Sequence, residues 1–62
     1  MKIQFLCLII ETSTGREIKE YRPDAADDYY ARCMAAKMFE TERKFFPKKD
    51  RKCNWHVESC EM

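Results

Sequence analysis

Residues that break regular structure are scarce in this chain. One glycine and two prolines occur among 62 residues, so turns are few and most of the backbone is expected in strands and helix. No sign of charge dominates either. Twelve Lys and Arg stand against 11 Asp and Glu, a formal net charge of +1, and overall charge therefore selects no class of partner. Histidine occurs once, at His56, and no repeat, linker or low-complexity segment is present. A bilayer span needs about 20 apolar residues. The main apolar run here, Ile3 to Ile10, is interrupted by Gln4 and closed by Glu11. No small-residue cleavage site follows that run, so neither a secretory leader nor a membrane contact is expected.

What remains is the composition of a folded domain, 45% hydrophobic and 37% charged, which excludes a disordered chain. The length fits one domain over residues 1–62 with one core. A core of that size supplies only about 3–5 kcal/mol of net stability. Little room is left for a cleft with a supporting shell, so an enzyme is not expected. Four cysteines occur, Cys7, Cys33, Cys53 and Cys60. Without a leader they read as free thiols in a reducing compartment.

Residues 2–11, KIQFLCLIIE, have the length and the β-branched and aromatic content of a central strand. Thr12-Ser13-Thr14-Gly15 is a turn cluster, and residues 16–22, REIKEYR, read as a charged edge strand completing a hairpin. Pro23 ends it. Asp24 reads as a helix N-cap with Asp27 in the third helical position. From Ala25 to about Phe45, Ala31, Met34, Ala35, Met38 and Phe39 recur at helical spacing and predict one apolar stripe. Phe46-Pro47 stops the helix. A charged loop over 47–52 leads to a third strand, residues 53–61, CNWHVESCE. The fold class is therefore α+β: a ββαβ chain with a three-stranded antiparallel sheet of order 2-1-3 and one helix on one face.

One helix covers one face, yet strand 1 is apolar on both. If Phe5, Cys7 and Ile9 meet the helix, then Leu6, Leu8 and Ile10 line an open face beside His56 and Glu58. Such a patch marks an interaction surface, a homodimer contact included, unless Lys and Arg stems cover it. A second candidate is basic. Arg43, Lys44, Lys48, Lys49, Arg51 and Lys52 surround a single acid, Asp50, with Phe45 and Phe46 among them. This pattern suits phosphates and stacked bases or an acidic protein patch. The same charges also complement the helix dipole opposite Asp24, Asp27 and Asp28, and the phenylalanines suit the end of the core. Tyr29 and Tyr30 point about 100° apart on a helix, so one must face solvent and offer an interface anchor.

The spacing C-x2-H-x3-C at Cys53, His56 and Cys60 invites a zinc site. A strand, however, sends Cys53 to the face opposite His56 and Cys60, and no C-x2-C knuckle occurs. No metal and no cofactor is expected. Cys7 and Cys53 are expected as cross-strand neighbours, small apolar fillers able to oxidise to a disulfide. A Cys–His nucleophile would need an orienting third group and an oxyanion site, and no residues are identifiable for either.

The opening strand KIQFLCLIIET, the turn STGRE, the strand end EYRP, the helix DAADDYYARCMAAKMF and the closing Trp55-x-Val57 together resemble the small ββαβ inhibitor proteins of phages and mobile elements, anti-CRISPR proteins and inhibitors of host RNA polymerase among them. The resemblance spans nearly the whole chain but is structural, and it transfers no binding residue; the four cysteines and the basic segment lie outside it. It implies a stoichiometric inhibitor of a bacterial protein complex, a CRISPR effector or RNA polymerase, acting in the cytoplasm of the host cell. A CRISPR effector groove is itself basic, so a basic segment fits it only against an acidic subunit patch. The residues expected to meet the partner are Lys48, Lys49, Arg51 and Lys52, with Arg43, Lys44, Tyr29, Leu6 and Leu8. Two other readings stand beside this one: a nucleic-acid-binding module using residues 43–52, and a structural homodimer.

Overall fold

The apolar segment at the start of the chain becomes the middle of the sheet. In the computed structural model, which describes all 62 residues, β1 (Ile3–Glu11) pairs antiparallel with β2 (Glu17–Tyr21) on one side and with β4 (Trp55–Glu61) on the other. A two-residue strand, β3 (Asp24–Ala25), continues the line of β2 past Pro23. Cys7 pairs with Tyr21 and Ile3 with Ala25, so the register is unchanged, and the Phe5 amide donates to the Pro23 carbonyl at 3.0 Å. The expected order 2-1-3 is realised, with β4 as its third strand. Gly15, at φ +77°, closes the hairpin in the left-handed region that glycine adopts without a Cβ penalty.

Helix α1 (Asp28–Glu42) lies across β1 and β4 and leads through a 3-10 turn (Arg43–Phe45) to the single-turn helix α2 (Lys48–Arg51). The α1 cap is Asp27, whose carboxylate accepts from the Tyr30 amide at 3.0 Å. This corrects the expected cap at Asp24, which pairs instead with Gln4 in the sheet. The helix starts later because Pro23 and Asp24 are held against β1 and cannot turn.

Phe5, Cys7 and Ile9 face the helix and meet Ala31, Ala35 and Phe39, with Tyr21 and Ala25 closing the cluster. The expected five-residue stripe is narrower in the fold. Ala31, Ala35 and Phe39 are buried, but Met34 and Met38 are 41% and 42% exposed. The two alanines let the helix sit close on a narrow sheet, and the methionine flank overhangs. Only 11 of 62 residues are buried, so each large one carries a large share of a thin core.

The Tyr21 hydroxyl donates to the Glu42 carboxylate at 2.9 Å, tying β2 to the end of α1. Burial, and then the hydrogen bond to this carboxylate, push the Tyr21 pKa well above that of an ordinary phenol. The folded chain therefore holds this proton to higher pH than the unfolded chain does. The associated stability is complete below the unfolded phenol value of about 10 and is lost as pH rises above it. In urea unfolding followed from about pH 9 to pH 11, stability should fall more steeply for the native chain than for Tyr21→Phe. Equal slopes would show that the hydroxyl is not held as described.

Candidate functional site

The segment after α1 is shaped by Phe46-Pro47. Phe46 is extended, with φ −88° and ψ 162°, the conformation imposed on a residue before proline. The Pro47 carbonyl then accepts from the amides of Asp50 and Arg51, which makes α2 where a loop was expected. Phe46, Asp50, Cys53 and Arg43 anchor the turn. Phe46 packs 5.5 Å from Phe39, centroid to centroid. Asp50, buried to 8% exposure, accepts from the Arg16 guanidinium at 2.6 Å. Arg16 is shared with Glu11 at 3.0 Å, and its pKa is raised by Asp50 first and Glu11 second. The Cys53 thiol donates to the Asp50 carbonyl at 3.6 Å.

This arrangement removes the one acid of the segment from the surface. Lys44, Lys48, Lys49, Arg51 and Lys52 are exposed and none is in an ion pair. Phe45 stands 78% exposed, with the Lys44 ammonium 5.2 Å from its ring centre. The result is a segment with five uncompensated cations and one solvent-facing aromatic ring, which has Lys44 beside it. Phe45 was expected at the end of the core; only Phe46 is there. Arg43 does not belong to the free set. Its guanidinium lies 5.4 Å from the Phe39 ring and 5.8 Å from the Trp55 ring, bonds Glu40 at 3.1 Å and donates to the Arg51 carbonyl. It clamps the turn to the core.

The other expected contact residues lie on separate surfaces. Tyr29, 63% exposed, sits at the start of α1, about 20 Å along a 15-residue helix from the basic turn. With Arg32, Cys33, Ala36 and Val57 it lines a shallow groove of about 290 Å3 between α1 and β4. Leu6 and Leu8 are half-buried on the sheet face away from the helix. With Glu58, Ser59 and Cys60 they line a depression of about 150 Å3. Ile10 continues their row but is buried, so the apolar part of the open face is smaller than the sequence suggests.

All four cysteines are unpaired. Cys7 lies opposite Ser59, while Cys53 precedes β4, so the expected Cys7–Cys53 neighbourhood does not form. Burial, with Asp28 nearby, pushes the Cys7 thiol pKa up, which disfavours the reactive thiolate. The His56 ring lies between Thr12, at 3.0 Å from Nδ1, and Glu58, at 2.9 Å from Nε2. No group of three or more His, Cys, Asp or Glu side chains converges where a metal ion could bind, and no helix is long and apolar enough to cross a membrane. Comparison of the chain with family models, with curated proteins and with solved structures finds no match.

Proposed function

We propose that this chain is a non-enzymatic binding domain that occupies an anionic surface of a bacterial protein or ribonucleoprotein complex and blocks it stoichiometrically. The observation that carries the reading is the basic turn. Lys44, Lys48, Lys49, Arg51 and Lys52 project from a segment held rigid by Phe46, Asp50 and Arg43, and Asp50 is turned inward onto Arg16. A fixed cluster of like charge raises association rates with an acidic partner and lowers the cost of ordering the side chains on binding. The identity of the partner as a CRISPR effector or RNA polymerase rests on the resemblance to phage inhibitors, and so does action in the host cytoplasm.

The exposed Phe45 favours a second reading. A ring among unpaired cations is the arrangement on which a single-stranded base stacks while its phosphates are neutralised. Tagged protein retained on a column and exposed to bacterial lysate, with and without nuclease, separates the two. For the protein-inhibitor reading, a defined complex stays bound after nuclease, elutes as salt rises, and loses its activity at one equivalent of the chain. Loss of every partner after nuclease would overturn a protein contact in favour of nucleic acid, free or within a ribonucleoprotein, and binding of naked single strands by the purified chain would then tell these two apart. Binding to neither would sink both.

A further inference from the structure

The two edges of the sheet are built differently. The edge formed by β2 and β3 carries Glu17, Lys19 and Glu20, a bulge where Ile18 is the extra residue, and Pro23. These are the devices that stop another strand from adding. The β4 edge lacks the bulge, the proline and the lysine, and its charges are the two acids Glu58 and Glu61. Its register against β1 is unbroken from Phe5–Glu61 to Glu11–Trp55.

The hydrogen-bond phase shows what that edge offers. The Met62 amide donates to the Gln4 carbonyl at one end of the ladder, and the Thr12 amide to the Asn54 carbonyl at the other. In an antiparallel pair the bonded positions alternate, so Asn54, His56, Glu58 and Cys60 turn their backbone groups inward to β1. Trp55, Val57, Ser59 and Glu61 turn theirs outward, where no strand pairs with them.

We propose that β4 pairs antiparallel with β4 of a second copy of this chain, about a twofold axis at Val57. In this register Val57 lies opposite Val57, Trp55 opposite Ser59, and His56 opposite Glu58, with the outward backbone groups bonding one another. His56 and Glu58 already attract each other along one strand at 2.9 Å, and the twofold repeats that complementarity twice across the interface. The neighbouring symmetric registers lose it. An axis at Glu58 sets two carboxylates face to face, and an axis at Ser59 sets Val57 against Glu61. Directly opposed residues share a sheet face, so the second Val57 falls over the groove lined by Tyr29, Arg32, Cys33 and Ala36. The two sheets become one continuous sheet with both helices on the same side.

Sedimentation equilibrium over a concentration series tests the pairing. The native chain should show reversible monomer–dimer exchange below about 1 mM, the range in which a free energy of a few kcal/mol is visible. His56→Glu places like charges opposite at two symmetric points and should weaken the dimer about tenfold. The double variant His56→Glu/Glu58→Lys should restore it, because each new glutamate meets a new lysine. Val57→Pro removes an outward amide that β1 does not use and should abolish the dimer while leaving the far-ultraviolet circular dichroism unchanged. If proline at that position disturbs the fold, the charge exchange decides alone. A strictly monomeric chain throughout, or a dimer that the charge exchange does not modulate, overturns the proposal.

Discussion

Phe39→Ala is expected to leave the chain largely unfolded in water at 25 °C. Phe39 is fully buried at the point where the helix, the basic turn and β4 meet. Its ring is 5.5 Å from Phe46, 4.8 Å from Trp55 and 5.4 Å from the Arg43 guanidinium. Truncating a buried phenylalanine to alanine costs about 3–5 kcal/mol, as lost transfer energy plus the cavity left behind. A domain of this size has roughly that much net stability in total. The adjoining helix positions on the same face, Ala31 and Ala35, are too short to fill the space. Met38→Ala, at the preceding residue, is the control. Met38 is 42% exposed, so the change should stay within about 0.5 kcal/mol. Urea unfolding followed by circular dichroism and by Trp55 fluorescence reads both. A Phe39→Ala variant that unfolds at the native midpoint would mean that the helix does not pack on the sheet through this residue.

Much of the fold was legible because local and global signals agree. Strand β1 is the one segment apolar at both parities, which places it centrally. Charges on residues 16–22 mark an edge, and Thr14-Gly15 marks the turn between them. What the sequence could not convey depends on which of two similar residues reaches a neighbour. Asp24 and Asp27 are equally good caps in isolation. Pairing of Asp24 with Gln4 through the backbone takes it out of contention, and that contact spans 20 residues. Met34 and Met38 satisfy the helical period as well as Ala35 does, but the period gives the direction of a stripe and not the width of the sheet beneath it. Likewise both faces of β1 carry large apolar residues, and their assignment follows only from where the helix lands.

The basic turn was legible as a composition and not as a surface. Its cations stand out in the sequence, yet the two features that make the surface distinctive come from remote partners. Arg16 reaches Asp50 across 34 positions, and Phe39 and Trp55 hold Arg43 from two other elements. Neither contact leaves a periodic or motif-like trace. The outer place of β4 followed from the expected order 2-1-3, but which of its residues turn their backbone groups outward did not, because that is set by its register on β1. Both candidate surfaces thus arise from the same circumstance: a short chain with one helix cannot cover everything its sheet exposes.

Reversing the basic turn, with Lys48, Lys49, Arg51 and Lys52 all changed to Glu, should abolish partner binding while the domain stays folded. The four side chains are exposed and take part in no ion pair, so the fold loses no ion pair of theirs. New repulsion between glutamates is screened by water and salt. Arg43 is left in place because it packs on Phe39 and Trp55, and changing it would confuse a binding defect with a folding one. For an acidic protein partner, four like-charge encounters replace four attractive ones. The expected loss is at least about 100-fold in affinity, most of it in the association rate at low salt. For a nucleic acid, the slope of log affinity against log salt should fall by about one for each phosphate contact removed. Phe45→Ala alone then separates the cases further. Loss of stacking weakens single-strand binding by about 1–3 kcal/mol but costs little against a flat acidic protein patch. Binding unchanged by the fourfold reversal would exclude the basic turn and shift the contact to the open sheet face, where Leu6 and Leu8 flank Cys60 and Glu58. There the affinity would follow the apolar area covered and would be nearly indifferent to salt.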